Sequence, residues 1–356
     1  MSTKRKRSLR AGRSRGRAVG RQALRLAVFA FIVWGAGCRS VPDQGPVAGV
    51  TPVWPLPPAP PRIRYVQSLS QPADAGIRTS IWRRAARWVL GTRRDERLIR
   101  PVGLFIGDDG TLSVADAGSG AISVYDFTRH TVQRWDHIGK LRFVEPVSVA
   151  KCGTALFVSE PALGRVVSFD TDGHLRFELT GDLKRPSGLT ISGAALLVAD
   201  SAAHCIRVYD LDGRPVRQFG RRGAGPGEFN FPTHVSADSA GRIYVTDAMN
   251  SRIQIFGPDG QFLRTIGSLG DSTGHFSRPK GTAVDRFGHI YVVDALFDNV
   301  QVFDPEGRFL LSWGEAGSNP GEFWLPAGIA IGPDSLIAVA DAYNARIQLF
   351  RYMGED

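Results

Sequence analysis

Short stretches of alternating or β-branched apolar residues recur along the chain, each ending on an aromatic ring. They read Ile-Ser-Val-Tyr at 122–125, Val-Val-Ser-Phe at 166–169, Ile-Arg-Val-Tyr at 206–209, Ile-Gln-Ile-Phe at 253–256, Val-Gln-Val-Phe at 300–303 and Ile-Gln-Leu-Phe at 347–350. A period near two predicts strands. Six residues before the start of each stretch stands an acid: Asp116, Glu160, Asp200, Asp247, Asp294 and Asp341. Each acid closes a run of small and β-branched residues, which predicts a second strand. A proline opens each unit further upstream, at Pro101, Pro146, Pro186, Pro232, Pro279 and Pro326. Turns such as Leu211-Asp-Gly213 and Pro258-Asp-Gly260 close the following hairpins, because Asp-Gly supplies the positive φ of a tight turn.

Residues 100–356 therefore form six copies of a four-stranded unit. One such unit cannot bury both its faces, whereas six stacked around an axis can. The predicted fold is all-β, a six-bladed β-propeller. The last copy ends after its third strand. Arg62–Ser70, which carries Ile63, Tyr65 and Leu69 in alternation, is the expected fourth strand that closes the ring.

Blade 4, from Phe231 through His234, Tyr244, Asp247, Asn250 and Arg252 to Gly260, closely resembles an NHL repeat. So do the Gly-Pro-Gly-Glu-Phe run at 225–229 and Pro-Gly-Glu-Phe at 320–323. The resemblance implies structural acid–Arg pairs, assigned here to Asp247–Arg252, Asp341–Arg346 and Glu160–Arg165. Blades 1, 3 and 5 lack that Arg, so their acids need other donors. It also points to a binding face where the second-to-third-strand turns meet the loops between blades. Candidates there are His204, His234, Asn250, His275, Lys280, Phe297, Asp298, Tyr343 and Asn344. The residues after the opening prolines are Val102, Val147, Ser187, Thr233, Lys280 and Ala327, and these are expected at the channel mouth.

The N-terminus has a different pattern. Ten basic residues precede a 12-residue apolar run, Leu26–Gly37, too short to span a bilayer but right for a signal peptide. Small residues then lead into Cys38, as in a bacterial lipobox. Residues 1–37 are thus expected to be a lipoprotein signal, and Cys38 the acylated anchor to a membrane. Arg39 is not the Asp that retains many such proteins in the inner membrane, which favours the outer membrane of the cell envelope. Residues 38–61 hold eight prolines and are expected to be an extended tether without sheet or helix. Residues 62–356 are the propeller. Within it, 77–90 pattern as a basic amphipathic helix that packs on the domain or lies on a membrane.

Charge narrows the function. The net charge of +10 belongs to the leader, since the remainder holds 34 basic and 34 acidic residues. A neutral mature chain outside the cytoplasm speaks against nucleic acid as partner. An envelope protein, peptide or glycan is the expected partner, with no cofactor. The alternative is a metal-dependent lyase or lactonase, as in some six-bladed propellers, with His204, His234 and His275 as a zinc set or with calcium in the channel. Cys152 and Cys205 fall on turns at opposite faces and are expected to be unpaired buried thiols.

Overall fold

A computed structural model describes residues 51–77 and 96–354. Six sheets are arranged as blades, and five of them have four strands in antiparallel order. Blade 4 is representative: Pro232–Ala237 lies innermost, followed by Ile243–Asp247, Arg252–Phe256 and Phe262–Ile266. The second strands are buried at nearly every residue, as in Leu112–Asp116 and Ile290–Asp294. Their β-branched residues alternate between two neighbouring blades, so both faces are covered.

Six apolar cores lie between successive blades. One of them joins blade 6, through Ala338, Ala340 and Leu349, to Leu104 and Val114 of blade 1, so the ring is closed. The inner strands approach so closely that a side chain has no room at some positions. A Cβ at Gly328 would lie 2.2 Å from the Val102 carbonyl oxygen, and one at Gly188 would lie 2.6 Å from the His234 Cα.

Blade 6 takes strands from both ends of the described chain. Ile329–Ile331, Leu336–Asp341 and Arg346–Tyr352 come from the C-terminal end. Ile63–Leu69 pairs with Arg346–Tyr352 as the fourth strand. Val53–Trp54 pairs with Ile63–Leu69 as a fifth. This corrects the reading of residues 38–61 as a tether without sheet. Pro52 and Trp54 lend carbonyl oxygens to the N–H groups of Tyr65 and Arg62. The Trp54 ring stands edge-on to Phe350 at 5.9 Å. Proline lacks an N–H, yet an outermost strand needs hydrogen bonds on one side only, so prolines flanking Val53 and Trp54 are tolerated.

The leader, Cys38 and residues 39–50 lie outside the described residues, as do positions 78–90 of the expected helix. The helix's first residue, Ile77, is buried in the core between blades 6 and 1. No helix among the described residues is long and apolar enough to cross a membrane. Cys205 is buried, and burial raises its thiol pKa; Cys152 is exposed at the end of an inner strand, against the expectation of two buried thiols. The first-to-second-strand turn of blade 2 lies open to solvent, and Cys152 has no neighbouring sheet over it.

Candidate functional site

The six acids sit where each second strand turns into the third, and all are fully or almost fully buried. Their carboxylates gather the N–H groups of the preceding inter-blade loop. Asp247 accepts from the Asn230 N–H at 2.6 Å, Asn250 Nδ2 at 2.8 Å, Arg252 Nε at 2.8 Å and Gln254 Nε2 at 3.2 Å. Arg252 in turn donates to the carbonyls of Gly225 and Glu228. Asp341 has the same surroundings, with Trp324 N–H, Asn344, Arg346 and Gln348. Glu160 accepts from Arg165 and from the Val144 N–H. Blade 3 lacks Arg at the usual place, and Arg207, two residues on, reaches Asp200 at 3.1 Å. Asp116 and Asp294 rely mainly on backbone N–H groups and, in blade 1, on the Ser119 hydroxyl. A buried carboxylate needs such a set of donors to be tolerated. These acids hold turns; they face no open space.

The turns they hold surround one opening. A cavity of about 540 Å³ lies on the axis and is lined by Val102, Val147, Ser187, Thr233, Lys280 and Ala327, one residue from each blade. Pro161, Ser201, Ala248 and Met249 from the second-to-third-strand turns, and Arg185, Phe231 and Arg278 from the inter-blade loops, form its rim. The wall is mostly apolar. Its charges are all positive, with no Asp or Glu among its lining residues.

His234 takes a place that is glycine in four of the other blades. Its ring lies close to the backbone of Thr282 on the next blade. It is half-buried in the cavity wall, between inner strands of neighbouring blades. That burial pushes its pKa down to about 4, and the polar backbone of Thr282 opposes the shift only in part. In an unfolded chain the imidazole protonates near 6.5. Between these values the unfolded chain binds more protons, so the contribution of His234 is full above pH 6.5 and falls as pH drops toward 4. At pH 5 the loss is expected to be about 2 kcal/mol relative to pH 7. Urea unfolding of the wild type and of His234→Gln checks this: the variant should lack that part of the acid-side slope, and equal slopes would refute it.

Comparison with known proteins gives the same architecture. Residues 237–296, spanning parts of blades 4 and 5, match the DUF5128 family, described as a 6-bladed beta-propeller. The chain is a six-bladed β-propeller. Its fold is similar to a Bacteroides thetaiotaomicron protein of unknown function, with TM-score 0.58, 16% identity, and 72% of this chain and 70% of that one covered. It is also similar to virginiamycin B lyase from Staphylococcus aureus, crystallised as an inactive variant with quinupristin. There the TM-score is 0.53 at 14% identity, over 71% and 95% of the two chains. A chain of a nidogen/laminin complex matches with TM-score 0.51 at 16% identity, over 68% and 86%. At such identities the likeness is one of fold alone.

Within the propeller the candidate residues divide sharply. His234 and Lys280 line the axial cavity. Tyr343 is exposed and stacks at a tilt on Trp324, ring centres 5.8 Å apart. Phe297 is half-buried in its turn. The other candidates are engaged in holding loops. Asn250 and Asn344 each donate to the blade acid and to a carbonyl of the preceding loop. Asp298 accepts from the Leu325 N–H at 2.7 Å. His204 accepts the Phe231 N–H at 3.2 Å and stands edge-on to that ring. His275 lies in the loop before blade 5, with Nδ1 3.0 Å from Ser272 Oγ. The suggested triad of His204, His234 and His275 is therefore not assembled: among the described residues the three do not converge. Arg185 and Arg278 were not among the candidates, although Arg precedes the opening proline at 100–101, 185–186 and 278–279. That repetition is the signal that could have found them.

Proposed function

We propose that this propeller is a binding module of the bacterial cell envelope, anchored by lipid at Cys38, that takes a protein or peptide on the face where the axial cavity opens. The observation that supports this is the exposed apolar surface on that face. The antiparallel blade order puts every second-to-third-strand turn and every inter-blade loop on one side of the ring. Val144, Leu163, Met249, Leu296, Trp324 and Tyr343 lie on those segments, and all are exposed, Met249 by 67% and Trp324 by 54%. Large apolar and aromatic side chains around a central depression are the composition of an interface core. The lipid and the leader account for the location: an acylated Cys38 holds the chain at the membrane and leaves the ring free to meet a partner. The nidogen/laminin complex shows that such a fold can serve in an assembly, and the lyase shows that it can serve in catalysis. The rim's apolar side chains favour the first role here.

The test places a photo-cross-linking residue at Met249 or at Tyr343 in cells, with Val216 on an outer strand as the control position. A defined envelope protein captured from the two mouth positions and not from Val216 is expected. Capture from Val216 alone, or from none of the three, would overturn the reading. Cys38→Ser is expected to release the chain from the membrane fraction.

A further inference from the structure

The cavity at the mouth holds positive charge that no acid in its lining balances, among the described residues. Of the three arginines that precede opening prolines, Arg100 is met by Glu145 at 2.6 Å. Among the described residues Arg185, Arg278 and Lys280 have no carboxylate partner, and all three line the cavity. The blade acids Asp200 and Asp294 are taken up by the backbone N–H groups of Lys184, Arg185, Ser277 and Arg278. Lys280 is half-buried. Its pKa is depressed first by burial and then by the Arg278 guanidinium beside it. Two like charges gathered in a partly dry site, with no acid to relieve them, suit an anion. The Thr233 hydroxyl, from the neighbouring blade, lies in the same wall, buried and without a hydrogen-bond partner.

Most of the rest of the wall is apolar, with Val102, Val147, Ala327, Phe231 and Met249, beside Ser187, Ser201 and His234. A volume near 540 Å³ falls within the range of small-molecule sites, about 300–1,000 Å³. A bare inorganic anion would leave most of it unfilled. We infer that the axial mouth binds an organic anion, a carboxylate or phosphate carried on an apolar body, with Lys280, Arg278 and Arg185 meeting the charge. This rests on the reading of the mouth as the binding face. It adds the chemical class of the group that enters it.

Two dyes of similar ring structure separate the terms. 8-Anilinonaphthalene-1-sulfonate carries an anion, and N-phenyl-1-naphthylamine does not. Fluorescence titration of the full-length protein is expected to show the sulfonate bound at one site at least tenfold more tightly. Lys280→Gln and Arg278→Gln should each weaken the sulfonate about tenfold and leave the neutral dye unchanged. Their urea midpoints should match the wild type, which shows that the ring is intact. Raising NaCl from about 0.05 to 0.5 M should weaken the sulfonate alone. Displacement by 4-phenylbutyrate would assign a carboxylate, and by phenyl phosphate a phosphate. Equal affinity for both dyes, or displacement by inorganic phosphate as effective as by the organic anions, would overturn the inference. If cross-linking at Met249 captures a partner while the cation variants bind the sulfonate normally, the anion inference alone fails. If the cation variants lose the sulfonate and no partner is captured, the partner reading alone fails.

Discussion

A protein that begins at residue 71 is expected to lose cooperative unfolding, or to unfold at a far lower urea concentration than one beginning at residue 51. Residues 51–70 supply the two outer strands of blade 6. Ile63 and Leu69 are fully buried there, each against a different inter-blade core. Burying a side chain of that size stabilises by about 1.5–3 kcal/mol, so the two together contribute about 3–6 kcal/mol before the ladder of hydrogen bonds is counted. Domain stabilities are typically about 5–15 kcal/mol, so the loss is a large share of the whole. Removal also bares the edge of Arg346–Tyr352, whose N–H and C=O groups pair with Ile63–Leu69 in the intact ring. An open apolar edge invites pairing between chains. Light scattering should therefore rise along with the loss of stability. Leu69→Asp is a milder version, because it keeps the strand and puts a charge in the core between blades 6 and 1. Unchanged midpoints in both variants would show that the ring closes without this strand.

Asp247→Ala is expected to destabilise the ring by about 3–5 kcal/mol. The carboxylate is the common acceptor for a backbone N–H and three side chains. Without it the Arg252 guanidinium, only 14% exposed, has no counter-charge, though it keeps its bonds to Gly225 and Glu228. An uncompensated charge in that position costs more than the pair ever contributed. The double variant Asp247→Ala/Arg252→Met removes both charges. It should recover part of the loss, and the difference in urea midpoints measures the coupling. A single variant within about 1 kcal/mol of wild type would mean that the acid is not what holds the turn. The same substitution in blade 1, Asp116→Ala, is expected to cost less. Among the described residues no arginine donates to Asp116, and its partners there are neutral N–H groups and the Ser119 hydroxyl, which water can satisfy at the rim.

The number of blades and the order of strands within each were legible in the chain. They depend on local chemistry: alternation of apolar residues, a proline at the start of each unit, Asp-Gly in the hairpins, and an acid before each second turn. The extra strand at Val53–Trp54 was not legible. Prolines exclude regular structure by their missing N–H, but an outermost strand tolerates them, and whether a neighbour is there to pair with is a tertiary fact. The site divides in the same way. His204, His234 and His275 look alike as candidates, yet only His234 lines the cavity, because only it stands on an inner strand where a neighbouring blade leaves room for a ring. Arg100 and Arg278 have the same local sequence, Arg-Pro, and differ in whether a carboxylate lies across the blade junction. Repeats thus determined what each blade is. The closing of the ring decided which side chains share the axis and which charges are left unpaired, because those contacts run between blades and no local pattern encodes them.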